Sequence, residues 1–282
     1  MSVLTRLVSR RPKQLALRWD TIAASDTGAH PGRVAELTAA RQDGITITGV
    51  FSQEEIDRAL ERLDGVERLE RPFGTLLGMP LGMLGSDEQD RTPYYEDTVR
   101  ARALYLDAFG FDPHDRVASI LQPMAGTLRL EPPTEDGHGY NPGQIRWWEP
   151  NQGGLPAHVG NEFRRQLADG PMSHLVQVTH VTNHLSYFVI LQRADTGGEL
   201  SVYDLTWDDN SGPDNFTNAQ RDDSWIDRTV CTKLDLQPGD MVLFGGGWRW
   251  HKVDPIFGSK PRISYGGFAA PSVDGEALHF WA

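Results

Sequence analysis

The sequence predicts a mainly β protein in which a helical N-terminal layer packs on a jelly roll. From Gly126 onward, about eight short runs of β-branched and aromatic residues alternate with Gly, Pro and Asp, as in a sandwich of short strands. Turns such as Thr196-Gly197-Gly198 and Pro238-Gly239-Asp240 separate these runs and favour hairpins. Before residue 126, apolar residues recur at helical spacing instead. The expected strands cover residues 127–130, 144–148, 185–192, 200–206, 229–234, 241–244, 248–253 and 262–268.

The N-terminal part is expected to support the jelly roll within the same single domain, residues 1–282. The regions in order are a tail and connector (1–35), a mostly helical support layer (36–125) and the jelly-roll catalytic core (126–282). A strand is expected over residues 45–50 because β-branched residues alternate there. The pattern Ser52-Gln53-Glu54-Glu55 is a capping box and predicts the start of a helix. Further helices are expected over residues 94–109 and 113–121.

One N-terminal segment, residues 73–85, contains no charged residue and is rich in Gly, Leu and Met. Such a segment is either a loop that covers the core or an apolar lid over a ligand. The sequence leaves both interpretations open. If the segment is a lid, Leu77 within it is a candidate substrate contact.

Composition narrows the class of partner. With 27 Lys and Arg against 39 Asp and Glu, the net charge is −12, which argues against binding to long nucleic acids or anionic membranes. No apolar run reaches the ~18 residues of a membrane span, and no secretory signal is recognisable. The single cysteine, Cys231, cannot form an internal disulfide, which favours the cytoplasm. We therefore expect a small-molecule partner; the oligomeric state stays open.

Two distant motifs carry the chemistry. His158 and His251 have the order of iron ligands in a 2-His-1-carboxylate site, which normally places the carboxylate two residues after the first histidine. That position is Gly160 here. Arg262 follows on the next expected strand, with Ser264 on the same face because side chains alternate along a strand. A guanidinium fork with a hydroxyl suits one end of a dicarboxylate whose other end chelates a metal.

Two other metal interpretations compete with this one. His180 and His184 have the i, i+4 spacing of a helical zinc pair, but the glutamate of the His-Glu-x-x-His motif is absent and the flanking residues favour a strand. Glu162, four residues after His158, is a candidate replacement for the missing carboxylate. Gly160 is alternatively a simple turn glycine.

The sequence also resembles the freestanding iron(II)/2-oxoglutarate-dependent halogenases, in particular the group that chlorinates hapalindole-type indole alkaloids. The resemblance runs in order over roughly residues 40–282 and includes Phe73-Gly74-Thr75. Its other segments are residues 158–163, 185–188, 197–203, 238–244, 246–247 with His251, and 261–262 through 266–268.

The resemblance implies a double-stranded β-helix of the iron/2-oxoglutarate oxygenase type, related to the cupins. Fe(II) would be held by His158 and His251, and 2-oxoglutarate by Arg262 with help from Ser264. Chloride would take the metal position that Gly160 leaves open. With O2 as oxidant, the implied reaction abstracts hydrogen from an unactivated aliphatic C–H and transfers chlorine to the carbon radical.

Ser186 and Asn161 are candidates for orienting the groups around the metal, or for hydrogen bonds within the sheet. The residues after the His-x-Gly motif depart from the alkaloid enzymes, since Arg164 and Arg165 stand where those enzymes are apolar. With Arg146-Trp147-Trp148, of which Trp148 is a candidate substrate contact, these arginines favour a polar, flat, anionic substrate. Nucleotide halogenases are a related group, so a nucleoside monophosphate such as dAMP is an alternative to a natural product. A hydroxylase and a non-catalytic jelly-roll binding protein are the remaining alternatives.

Overall fold

The computed structural model describes residues 17–71, 74–81, 90–163, 172–207, 226 and 229–282. Two β-sheets face each other, and helices cover the outer face of the larger sheet. The strands are β1 Trp19–Ala23, β2 Gly44–Thr48, β3 Leu69–Arg71, β4 Gly74–Leu77, β5 Arg129–Glu131, β6 Thr134–Glu135, β7 His138–Gly139, β8 Gln144–Trp148, β9 Gly153–His158, β10 Leu185–Gln192, β11 Thr196–Gly197, β12 Leu200–Thr206, β13 Cys231–Leu234, β14 Met241–Phe244, β15 Arg249–Phe257, β16 Arg262–Pro271 and β17 Ala277–Trp281.

The helices are fewer and mostly precede the jelly roll. They are α1 Arg33–Thr38, α2 Gln53–Arg62, α3 Thr92–Phe109 and α4 Pro113–Ala125, with a short helix Ser173–Val178 and 3-10 turns Ala24–Ala29 and Gly160–Phe163. Among the helices of the described residues, none is long and apolar enough to cross a membrane.

Each sheet has a simple order. The larger, ten-stranded sheet runs β1-β2-β14-β10-β16-β8-β4-β3, with β17 and β5 continuing from β16. The smaller sheet runs β11-β15-β12-β13, with β9 paired to β15, and β6 and β7 form a separate hairpin. Most pairs are antiparallel; β1 with β2 and β17 with β5 are parallel. The predicted fold class, a mainly β jelly roll with a helical N-terminal layer, is confirmed.

Side chains along β16 point alternately into the hydrophobic core under the helices and onto the inner face between the two sheets. Ile263 and Tyr265 point toward the helices, where they join the main hydrophobic cluster with buried residues of α1 to α4. Arg262 and Ser264, one residue out of phase, therefore point to the opposite face, toward the smaller sheet. Apolar residues such as Val202 and Phe244 fill part of that inter-sheet space. The face that carries the polar site residues is thus the inner one.

The capping box predicted for α2 is present. The hydroxyl of Ser52 accepts from the Glu55 amide at 3.2 Å, and the Glu55 carboxylate accepts from the Ser52 amide at 2.8 Å. Ile56 on this helix is fully buried, as the helical spacing predicts. Arg116 of α4 forms an ion pair with Glu55 at 3.0 Å, which joins the two helices.

The N-terminal region departs from the expected tail and connector. Within residues 17–35, β1 pairs in parallel with β2 and forms one edge of the larger sheet. The side chain of Trp19 donates to the Thr46 hydroxyl at 3.0 Å and fixes this edge. A strand of five residues with an Asp in it has no clear period-two pattern, which is why the sequence did not reveal it. Residues 1–16 lie outside the described part of the chain.

The uncharged segment is also partly a strand. Gly74 to Leu77 form β4, which pairs with β8 inside the larger sheet. Leu77 is fully buried in the main cluster, and its carbonyl accepts from the Tyr105 hydroxyl at 2.5 Å. The interpretation of Leu77 as a substrate contact is therefore wrong, because its side chain packs toward the helices. Residues 72–73 and 82–89 lie outside the described residues, so the lid interpretation is tested only over β4 and its neighbours.

Candidate active site

Two histidines meet on the inner face of the smaller sheet. His158 ends β9 and His251 lies near the start of β15, and the antiparallel pairing sets them directly opposite each other. Their ring centroids are 4.2 Å apart. The ring of Phe244, from the larger sheet, packs edge-on against His251 at 4.9 Å. Both imidazoles therefore lie at one end of the space between the sheets.

Both rings have the tautomer that a metal ligand needs. Nδ1 of His158 lies 2.9 Å from the Pro156 carbonyl, and Nδ1 of His251 lies 2.8 Å from the Arg249 carbonyl. Because a carbonyl only accepts, each Nδ1 carries the proton, and the lone pair of the neutral ring is on Nε2. Burial, and after it the neighbouring imidazole of His158, holds the pKa of His251 well below its usual range. A neutral imidazole with a fixed tautomer is suited to a divalent metal.

Gly160 opens the 3-10 turn that follows His158. Its amide donates to the Gly246 carbonyl at 2.8 Å, and the Asn161 amide donates to the Gly247 carbonyl at 2.9 Å. These bonds tie the His158 segment to the glycine turn that leads into β15. The φ of Gly160 is not in the left-handed region, so the backbone itself does not require glycine there. The glycine must be explained by the space around it.

That space is occupied by His184. A Cβ atom added to Gly160 would lie 2.1 Å from Cε1 and 2.3 Å from Nε2 of His184. His184 is buried, and its Nδ1 donates to the Val181 carbonyl at 2.9 Å. Its Nε2 is buried without a hydrogen-bond partner, and burial lowers the pKa of the ring to about 4. The ring is therefore neutral and directs an acceptor lone pair toward the space beside Gly160.

The structure argues against the two other metal interpretations. His180 is exposed whereas His184 is buried, so the pair does not form a zinc site. The carboxylate of Glu162 turns back to its own turn and accepts from the Val159 amide at 3.5 Å. Among the described residues, no three His, Cys, Asp or Glu side chains are arranged to hold a metal ion. The missing carboxylate is thus not replaced within the part of the chain that the structure describes.

Arg262 forms a cationic pocket on the larger sheet. Its Nη1 donates to the Ser264 hydroxyl at 3.2 Å, and its guanidinium lies over the Phe188 ring at 4.9 Å. Arg146 is held on β8 directly opposite Ser264, so two arginines share this face. Burial, followed by the charge of Arg146, lowers the pKa of Arg262 to about 10. The buried Nε of Arg262 has no hydrogen-bond partner.

An anion would satisfy this pocket. Burial lowers the pKa of Arg146 to about 10 as well, and the further charge acting on it is that of Arg71. Among the described residues, no carboxylate forms an ion pair with Arg146 or Arg262. A buried cation without a counter-charge is unfavourable unless a ligand supplies one. The orphaned donor and the two charges therefore fit a carboxylate-bearing cofactor.

The remaining predicted site residues have mixed surroundings. The amide group of Asn161 is engaged with Asn183, donating to its Oδ1 at 2.6 Å and accepting from its backbone amide at 2.8 Å. Asn161 thus holds the turn before His184. Ser186 lies on the inner face, where its hydroxyl would be 2.0 Å from a Cβ on Gly246. Arg164 and Arg165 lie outside the described residues.

Trp148 is buried, and the guanidinium of Arg146 covers its ring at 4.9 Å. The candidate substrate contact Trp148 thus has one face of its ring covered by a side chain of the protein itself, and its role toward a substrate stays a prediction. Arg146 is half-buried and lies on the inner face of the sheet, opposite Ser264.

Comparison with known proteins identifies the family. The family model for the carrier-protein-independent halogenase WelO5 matches residues 16–282. The chain belongs to this halogenase family. The halogenase is accordingly an oxidoreductase whose cofactors and co-substrates are Fe(II), 2-oxoglutarate, chloride and O2. Its substrate is a small molecule that is not attached to a carrier protein.

Solved structures agree on the fold of the halogenase. An N-substituted L-amino acid dioxygenase from Burkholderia ambifaria AMMD is 15% identical, with a TM-score of 0.55 over 88% of this chain and 90% of that chain. The same dioxygenase in complex with alpha-KG gives a TM-score of 0.54 at 15% identity over 88% and 90%. No curated protein matches the chain significantly.

Proposed function

We propose that the halogenase chlorinates an unactivated aliphatic C–H of a small anionic molecule, a nucleoside monophosphate such as dAMP being the favoured class. His158 and His251 would hold Fe(II), and Arg262 with Ser264 would hold the distal carboxylate of 2-oxoglutarate. When bound, iron would activate O2, the oxidant, and 2-oxoglutarate would supply the two electrons that this activation needs. The single observation that carries the proposal is the glycine at position 160, where an oxygenase of this type carries a carboxylate.

The protein's own residues have separable tasks. The carbonyls of Pro156 and Arg249 fix the ring orientation of the two histidines. Arg262 orients 2-oxoglutarate through a charge-assisted pair. The apolar surface of Phe188 and Phe244 excludes water from the space between the sheets, which strengthens these electrostatic contacts.

The charge balance supports an anionic substrate. Iron(II), doubly charged 2-oxoglutarate and one chloride together carry a single negative charge, which Arg262 offsets. Arg146 then contributes a further positive charge on the same face, in contact with Trp148. A phosphate or carboxylate on the substrate would balance it, whereas a neutral indole alkaloid would leave it uncompensated.

A second candidate, hydroxylation at the same iron site, is favoured by one observation. Nε2 of His184 is a buried acceptor that faces the space beside Gly160. A water molecule can donate to this atom and a chloride ion cannot. A site that holds water there would give hydroxylation.

The product distinguishes these functions. We expect anaerobic Fe(II) and 2-oxoglutarate to give a weak charge-transfer band in the visible, and chloride to shift it. With O2 and substrate, the product mass should show that one hydrogen has been replaced by chlorine, with the chlorine isotope pair. When bromide is supplied instead of chloride, the product should carry bromine. A product increased by one oxygen at saturating chloride would establish the hydroxylase, and absence of the band would favour a binding protein without catalysis.

The substrate class is tested by calorimetry on the enzyme loaded with Fe(II) and 2-oxoglutarate under anaerobic conditions. We expect dAMP to bind at least about tenfold more tightly than 2′-deoxyadenosine, because a charge-assisted contact contributes on the order of 1.5–3 kcal/mol. Arg146→Met should remove this difference. The matched control is Arg68→Met, since Arg68 also covers a tryptophan, Trp147, at 4.7 Å, but on the opposite face of the sheet. Equal affinity for nucleoside and nucleotide in the wild type would refute the anionic substrate.

A further inference from the structure

We infer that His184 determines which ligand the metal site accepts, because its ring fills the space that any side chain at position 160 would need. This inference deepens the proposed function and rests on it for the identity of the open position. According to this inference, the absence of a protein ligand at the third metal position depends on both Gly160 and His184, and not on the glycine alone.

A side chain at position 160 would collide with the ring of His184. Real Cβ atoms essentially never lie within 3.0 Å of another group, and a Cβ on Gly160 would approach two ring atoms of His184 to 2.1 and 2.3 Å. The next nearest atom, Cα of Gly247, would be 3.2 Å away, which a small shift can relieve. Since the backbone of Gly160 is accessible to any residue, the His184 ring is the principal obstacle to a side chain there.

His184 is held in place. Its ring packs edge-on against Phe268 at 5.0 Å and Trp281 at 5.9 Å, and its Nδ1 donates to the Val181 carbonyl. The His184 carbonyl accepts from the Gly247 amide at 2.8 Å. A ring packed on both sides in a dense interior cannot rotate away without breaking these contacts. A side chain at position 160 would therefore strain the fold or expel His184.

The turn before His184 is also fixed. Asn183 adopts a left-handed conformation with φ 58°, which asparagine tolerates better than most residues. Both polar groups of the Asn161 side chain bond to Asn183. Asn161, which follows Gly160, thus positions Asn183, which precedes His184. These hydrogen bonds hold Gly160 and His184 next to each other.

One ring nitrogen of His184 lacks a hydrogen-bond partner. Nε2 of His184 is a buried acceptor without a partner, and it is one of the two atoms nearest to the missing side chain. Buried polar atoms are generally satisfied, so this atom indicates that a ligand or water belongs beside it. The His184 ring therefore closes the space next to Gly160 to a protein side chain, and its unpartnered Nε2 is available to an exogenous hydrogen-bond donor.

A stability cycle tests the contact without any metal. Gly160→Ala should lower the melting temperature by about 5 °C in the wild type, the scale of overpacking in a protein of this size. In a His184→Ala background the same change should cost less than about 2 °C, and in a His184→Phe background, which keeps a ring, about 5 °C again. The control Gly28→Ala should cost little in every background, because nothing lies within 4 Å of that Cβ.

An iron-binding measurement tests the consequence. Gly160→Asp alone should not raise the affinity for Fe(II), because the new side chain collides with His184. Gly160→Asp with His184→Ala should lower the Fe(II) dissociation constant at least about tenfold relative to His184→Ala, and chloride should no longer shift the charge-transfer band.

The outcomes separate the two proposals. Equal losses from Gly160→Ala in all three backgrounds, or full tolerance of Gly160→Ala in the His184→Phe background, would overturn the role of His184 even if chloride shifts the wild-type band. Background-dependent losses together with a wild-type band that ignores chloride would support the contact and sink the halogenase proposal instead. If His184→Ala does not fold, the His184→Phe comparison and the single Gly160→Asp titration still decide the matter.

Discussion

Arg262→Met is expected to weaken the binding of 2-oxoglutarate and to make the protein without ligand more stable. We expect the dissociation constant for 2-oxoglutarate to rise at least about a hundredfold, because a buried carboxylate loses its charge-assisted partner. We expect the free energy of unfolding to increase by on the order of 2 kcal/mol, because burial and Arg146 oppose the charge of Arg262 in the absence of an anion. Calorimetry and urea unfolding measure the two effects.

A second buried arginine provides the contrast. Arg249 is as buried as Arg262 but forms an ion pair with the buried carboxylate of Asp43 at 2.9 Å. Arg249→Met should therefore destabilise the protein by about 1.5–3 kcal/mol, since Asp43 loses a charge-assisted partner but keeps its ion pair with Arg18 at 3.1 Å. If Arg262→Met lost as much stability as Arg249→Met, Arg262 would be a structural ion-pair residue and the anion pocket would be refuted.

His251→Ala is expected to lower the affinity for Fe(II) at least about a hundredfold. The loss should exceed the effect of removing a residue that only hydrogen-bonds to a metal ligand. His158→Ala should have a similar effect, because the two rings face one position at 4.2 Å separation. The charge-transfer band with 2-oxoglutarate should disappear in both variants, while circular dichroism keeps its β-sheet signal.

The control for the histidines is His180→Ala. His180 is exposed and lies apart from the pair, so the variant should bind Fe(II) as the wild type does. Loss of iron in His180→Ala, with retention in His251→Ala, would place the metal elsewhere.

The sequence correctly predicts several strands of the two facing sheets, because the residue pattern that identifies each of them lies within the strand itself. β8, β10, β12 and β14 begin and end at the predicted residues. β9 and β17 are not predicted: β9 contains Pro156 and pairs with register shifts, and β17 is specified by its neighbours rather than by its own pattern. The edge strand β1 is missed because its pairing partner, β2, decides its structure.

The site is predictable where the spacing is regular. Arg262 and Ser264 are two residues apart on one strand, so their shared face follows from the sequence. The opposition of His158 and His251 depends on the register of β9 with β15, which a single sequence does not specify. The position of His184 beside Gly160 could not be deduced, because it comes from a turn and not from a repeating element. Its one local signal is a histidine placed directly before the predicted strand 185–192.

The contact between Gly160 and His184 constrains the order in which this enzyme could change its chemistry. A carboxylate at position 160 is unfavourable while the His184 ring is present, since the added Cβ would collide with it. A smaller residue at position 184 has to come first, and that change alone supplies no metal ligand. A route to a carboxylate ligand at position 160 therefore passes through an intermediate sequence that has gained no metal ligand, so positions 160 and 184 are coupled by epistasis.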